Sequence, residues 1–161
     1  VTLVLAILVF VTLQRLGELV LARRNTAALM ARGAIEVAPG HYPLIVLMHG
    51  AWLAGLWYLA PGHEVNLVWL GVFAVLQLLR VWVLVTLGPR WTTRIIVLPG
   101  EQLVRRGPYR FLSHPNYCVV AGEMIVLPMV FGLFWYGVAF SLLNAAILAI
   151  RITAENRALG R

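Results

Sequence analysis

The sequence predicts an all-α integral membrane protein of five transmembrane helices, with a C-terminal helical hairpin and an ordered loop that carries a short β-hairpin. Apolar residues make up 61% of the chain, against about half in a soluble globular domain. Mean hydropathy is +0.88, and only 12% of residues are charged. The apolar residues fall into long uninterrupted runs, and the arginines collect between them. A chain of 161 residues suits one domain over 1–161.

A hydrocarbon layer about 30 Å thick is crossed by roughly 20 apolar residues in a helix. Residues 1–21 supply the first such run. It holds Arg15 and Glu18 and lacks a small-residue cleavage site after a short apolar core, so it reads as a retained span. Residues 44–60 give the second, closed by Pro61-Gly62, and 65–87 the third, closed by Gly88-Pro89. Runs 117–131 and 133–150 follow with Gly132 alone between them, which reads as a tight helical hairpin. The connection 88–116 is too patterned for a linker. Its residues 92–97 are β-branched and apolar, Leu98-Pro99-Gly100-Glu101 signals a turn, and 102–104 fits a returning strand. An ordered cap over the membrane face is expected. No internal repeat is visible, which argues against an inverted-repeat transporter.

All thirteen basic residues are Arg, all six acidic ones are Glu, and the net charge is +7. Such a charge can signal nucleic acid, but these arginines form no stripe on a soluble helix. Arg23, Arg24 and Arg32 lie in the first loop, and Arg90, Arg94, Arg105, Arg106 and Arg110 in 88–116. Arg157 and Arg161 lie in the tail, and the turn 61–64 has none. By the positive-inside rule both loops and the C-terminus face the cytoplasm and the N-terminus faces out. Cys118 is the single cysteine, which excludes an intrachain disulfide and a multi-cysteine metal site; no metal site is expected.

Ionisable groups inside spans are costly unless paired or hydrated. Arg15 and Glu18 are three residues apart and read as a local ion pair that locks the first span to its neighbours. Gln77 and Arg80 repeat the spacing, with Arg80 near enough to the span's end to snorkel. On the last helix Ser141, Asn144, Leu148, Arg151 and Glu155 follow a three-four spacing and share one face. Spacing alone leaves two readings open, a ligand-facing surface and an interfacial salt bridge. Residues 107–117 form the densest cluster of functional side chains, where Pro115 and Asn116 suit a helix start whose N–H groups can bind an anion.

Gly107-Pro108-Tyr109-Arg110, then His114-Pro115-Asn116-Tyr117, then a hairpin and Arg151-Ile152-Thr153-Ala154-Glu155 resemble the isoprenylcysteine carboxyl methyltransferase superfamily. Phospholipid N-methyltransferases share a similar C-terminal half. Arg15-Leu16-Gly17-Glu18, Arg23-Arg24-Asn25, His41-Tyr42-Pro43 and Trp91-Thr92-Thr93-Arg94-Ile95 are similar to the short bacterial branch, which includes O-methyltransferases of alkylpyrone and alkylresorcinol lipids. Two positions depart from the pattern. Ser113 stands where the family often has Arg, and Asn156 where it often has a second Glu.

The resemblance implies S-adenosylmethionine as cofactor and a lipophilic acceptor that enters from the bilayer. It implies a cofactor site drawn from Tyr109, Arg110, His114, Pro115, Asn116, Tyr117, Arg151, Glu155 and Leu159. Arg110 and the helix start at His114 suit the carboxylate, Glu155 the ribose or amino group, and Tyr109, Tyr117 and Leu159 the adenine. Arg151 and Glu155 are the expected catalytic pair, with Arg151 steering an anionic oxygen. Trp91, Thr92 and Arg94 are expected on the acceptor side. A phenol acceptor, unlike a carboxylate, benefits from a base. His41, His49 and His114 are candidates, each more economically read as structural, so no base is assigned. Two other classes fit the same residues: a membrane reductase using a nicotinamide cofactor, and a non-catalytic scaffold in which Glu155, His114 and Arg151 satisfy one another.

Overall fold

The computed structural model describes residues 1–161. It has five helices: α1 (Thr2–Ala31), α2 (Tyr42–Leu59), α3 (Leu67–Leu87), α4 (Pro115–Val130) and α5 (Phe134–Leu159). Four of them are long and apolar enough to cross a membrane, and the chain is an all-α membrane protein. The expectation of five full spans is corrected at α4. Its 16 residues reach about 24 Å at 1.5 Å per residue, short of the hydrocarbon thickness. Pro128 lies in its last turn, and Gly132 at φ 72 takes the left-handed conformation that reverses the chain into α5.

Two boundaries also move. α1 continues to Ala31, past the apolar run that ends near residue 21, and α5 to Leu159, past the run that ends at 150 and past Glu155, which the spacing already placed on this helix. Arg23, Arg24 and Arg157 carry these helices beyond the apolar layer. Hydropathy marks where a membrane ends, not where a helix does.

The hairpin expected within 88–116 does not form. Strand β2 (Ile96–Val97) pairs antiparallel with β1 (Ile35–Glu36) of the first loop, with Ile35 opposite Val97, and residues 102–104 are irregular. Arg94 Nη1 reaches Glu36 Oε1 at 2.7 Å across the same junction. The cap is ordered, but two loops build it.

The core gathers Leu8 and Val11 of α1, Trp52 and Leu56 of α2, and Leu127 and Val130 of α4. Several polar groups in this apolar setting find partners, which offsets the cost of burial. Trp57 Nε1 donates to Thr12 Oγ1 at 2.9 Å, and the Tyr136 hydroxyl to Trp52 O at 2.7 Å. Asn66 caps α3 by accepting from Val68 N and Trp69 N, while its own N–H donates to Val130 O.

The largest polar feature inside the bundle joins three helices. Glu123 of α4 is 1% exposed. It accepts from Arg15 Nη2 at 2.5 Å, Gln77 Nε2 at 2.8 Å, and Arg80 through both Nε and Nη2. Arg80 and Arg15 also contact Glu18 Oε2, at 3.0 and 3.2 Å. Arg80 therefore does not snorkel: Glu123 and Glu18 draw it inward and compensate the cost of burial. Arg15 and Glu18 do pair locally, within a larger set of two cations and two anions.

Candidate functional site

The site begins with the face of α5. Asn144 and Arg151 are 2% and 4% exposed, and Leu148 is buried between them, so the face points into the protein. One and two helical turns beyond, Arg151 and Glu155 border a cavity of about 460 Å³, within the usual range for small-molecule sites. The start of α4 forms the opposite wall. Proline at the first position suits a helix N-terminus, and Pro115 aims His114, Asn116 and Tyr117 along it.

Hydrogen bonds tie these walls together. The Tyr117 hydroxyl donates to Glu155 Oε2 at 2.8 Å. His114 Nε2 lies 3.0 Å from Asn156 Oδ1, and its Nδ1 3.7 Å from Glu155 Oε2. The His114 and Tyr117 rings stack with centroids 5.5 Å apart. Tyr109 enters from the turn Gly107–Arg110. Burial, then the nearby Glu155 carboxylate, push its phenol above the usual range, so it stays a neutral hydrogen-bond donor at neutral pH.

The cap supplies the third wall. Asn25 Nδ2 donates to Trp91 O at 2.8 Å and to Gly88 O at 3.3 Å, which pins the loop to α1. Trp91 packs with Ala22 and Val83. Thr92 Oγ1 donates to Arg94 O at 2.7 Å, and the Arg94 guanidinium lies 4.0 Å over the Tyr42 ring. Arg151 Nη2 donates to Thr93 O at 2.8 Å, and Thr93 Oγ1 lies 3.0 Å from the Tyr42 hydroxyl. Arg151 Nε is buried with no partner. Arg151 itself lines the cavity, so its guanidinium charge suits a ligand oxygen there.

Trp91, Thr92, Arg94, Tyr109, His114, Asn116, Tyr117, Arg151, Glu155 and Leu159 all line this one cavity. Arg110 does not. It is exposed and borders a neighbouring surface hollow with Arg105 and Arg161. Pro115 is buried behind the wall, and His41 lies outside the lining. Sequence reasoning missed Tyr42, Thr93 and Asn156 as contacts. Their signal was present only as motif neighbours of residues it did select.

The cavity also runs inward past Ile45, His49 and Arg15 to Trp52. Leu16 and Leu19 of α1 and Val46 and Gly50 of α2 line it and remain exposed, so it opens sideways between these two helices. His49 is about 10 Å along α2 from Tyr42 by helical rise. One continuous space therefore links the Arg-rich end of the bundle to its lipid-facing side.

The motif-bearing half of the chain, residues 69–161, matches the isoprenylcysteine carboxyl methyltransferase family. The chain is 40% identical to the uncharacterized protein YpbQ of Bacillus subtilis (strain 168), over 98% of its own length and 95% of that protein's. It is 27% identical to an uncharacterized protein of Haemophilus influenzae, over 90% and 88% of the two chains. No solved structure matches it. A family match over more than half the chain covers α4, α5 and the 88–116 part of the cap, so the chain belongs to the isoprenylcysteine carboxyl methyltransferase family of membrane methyltransferases.

Proposed function

We propose that the protein transfers a methyl group from S-adenosylmethionine to an oxygen of a lipophilic acceptor, a lipid phenol or pyrone or a prenylcysteine-like carboxylate. The observation that carries this reading is that Glu155, Tyr117 and Arg151 share one cavity with a lateral opening between α1 and α2. A water-soluble donor and a membrane-soluble acceptor need such two-ended access. Clustered arginines mark the donor's side as cytoplasmic under the positive-inside rule.

The residues fit the cofactor. Glu155 is an acceptor for a hydroxyl or amino group, and the Arg151 guanidinium is a counter-charge for a carboxylate or phenolate oxygen. Tyr109, Tyr117 and Leu159 give a wall for a flat base. When bound, S-adenosylmethionine supplies a methyl group on a sulfonium centre. The chain's part is positioning and exclusion of water, which can account for a large share of the rate in a displacement reaction. Arg151, held by Thr93 O, orients the acceptor oxygen; Leu148 and Val120 keep the intervening space apolar.

Calorimetric titration with S-adenosylhomocysteine tests the cofactor half of this reading. Binding to the wild type is expected, and Glu155→Ala should weaken it at least tenfold, on the order of the 1.4 kcal/mol that one charged hydrogen bond supplies. Equal affinity in the two proteins removes Glu155 from the site. Mass spectrometry after incubation with labelled S-adenosylmethionine and host lipid extract tests the rest; no labelled lipid overturns it.

A further inference from the structure

We propose that His49 reads the acceptor lipid, its Nε2 accepting a hydrogen bond from a neutral hydroxyl on the lipid's head. This deepens the lipid-methyltransferase reading and rests on it for the identity of the ligand as substrate. His49 lies on α2 between Ile45 and Leu53, in the stretch of cavity beside the lateral opening. Its Nδ1 is 2.9 Å from Ile45 O. A carbonyl oxygen only accepts, so Nδ1 carries the hydrogen, and the neutral ring presents a lone pair at Nε2. Nε2 has no partner within the chain and is not among the polar atoms sealed from solvent. It is an open acceptor in an apolar passage.

The neighbours decide which ligand group suits it. Arg15 and Arg80, the nearby cations, are both committed to Glu18 and Glu123, and their charges cancel. An anionic head at this depth meets no open cation: Arg15 Nε lacks a partner but, like Glu18 Oε1, is sealed from solvent. Thr12 is spent as well, since its hydroxyl donates to Leu8 O and accepts from Trp57 Nε1. Gln14 and Gln77 bond each other. Glu18 Oε1 and Gln14 Oε1 also lack partners but are sealed from solvent, so His49 Nε2 is the acceptor left open to a donor. A hydroxyl that has lost its water inside the bundle requires such a partner, whereas its methyl ether neither requires one nor gains from it.

Calorimetry on the full chain in nanodiscs, with a pentadecyl phenol and its methyl ether as probes, tests the proposal. The wild type should bind the phenol about tenfold more tightly than the ether, the scale of one neutral hydrogen bond in a desolvated site. His49→Ala should remove the preference, and His49→Gln, whose amide oxygen can accept, should keep part of it. S-adenosylhomocysteine affinity should be alike in all three, which shows that the fold is retained. If the Ala variant loses that affinity, His49→Met set against His49→Gln decides on the same terms. A preference unchanged without the imidazole overturns the proposal, as does a wild type that binds the two probes equally or binds neither. A wild type that ignores S-adenosylhomocysteine yet keeps a His49-dependent preference overturns the methyltransferase reading and supports the role of His49.

Discussion

Gly107 stands at φ 56, and a Cβ there would lie 2.5 Å from Thr86 Oγ1 at the end of α3. Both constraints explain why the turn that carries Tyr109 starts on glycine. An L-residue in the left-handed region costs about 1–2 kcal/mol, and here the added methyl must also displace Thr86 or the turn itself. Gly107→Ala is therefore expected to shift Tyr109 away from Glu155 while the helices stay inserted. S-adenosylhomocysteine affinity should fall roughly tenfold with the helical circular dichroism unchanged. An unaltered affinity would show that the position of Tyr109 does not matter to the ligand.

Helices α1, α3 and α4 are held in register by Glu123, and that contact lies on the scale of elements. Removing one member of a buried ionic set strands its partners, a loss of about 3–5 kcal/mol, whereas replacing a whole pair by apolar groups is often near neutral. Glu123→Ala should thus lower the melting temperature in detergent, and Arg80→Met combined with Glu123→Met should recover most of it. A single variant that melts with the wild type would deny the cluster a structural role. The same cluster marks how far the sequence could be read. Arg15 with Glu18, Gln77 with Arg80, and the shared polar face of α5 were legible because each is written in a local three-four spacing, although spacing left open which way that face of α5 points. Glu123 stands alone in an apolar run, and its partner Arg15 is 108 residues away, so no local pattern announces it. Arg80 was misread as snorkelling for want of that partner. The expected β-hairpin failed likewise: 92–97 has strand chemistry, but its partner is Ile35–Glu36, across two intervening helices.

At the scale of the whole molecule the cavity has two approaches, and a variant can close one without touching the other. Gly50 lines the lateral opening, and a Cβ added there meets nothing within 4 Å. Gly17 on α1 has equally open space around it but does not line the cavity. Both positions have room for a Cβ and lie on the exposed surface, and phenylalanine gains helix propensity over glycine, so neither variant is expected to cost stability. Gly50→Phe, however, projects its ring into the path between α1 and α2. It should raise KM for a long-chain acceptor about tenfold, the effect of losing on the order of 1.4 kcal/mol of lipid contact, while S-adenosylhomocysteine affinity stays constant. Gly17→Phe should change neither quantity. Because the two variants add the same bulk to the same lipid-facing surface, a difference confined to Gly50 and to the lipid identifies the sideways path. A KM that is the same in both variants and the wild type means that the acceptor reaches the cavity from elsewhere.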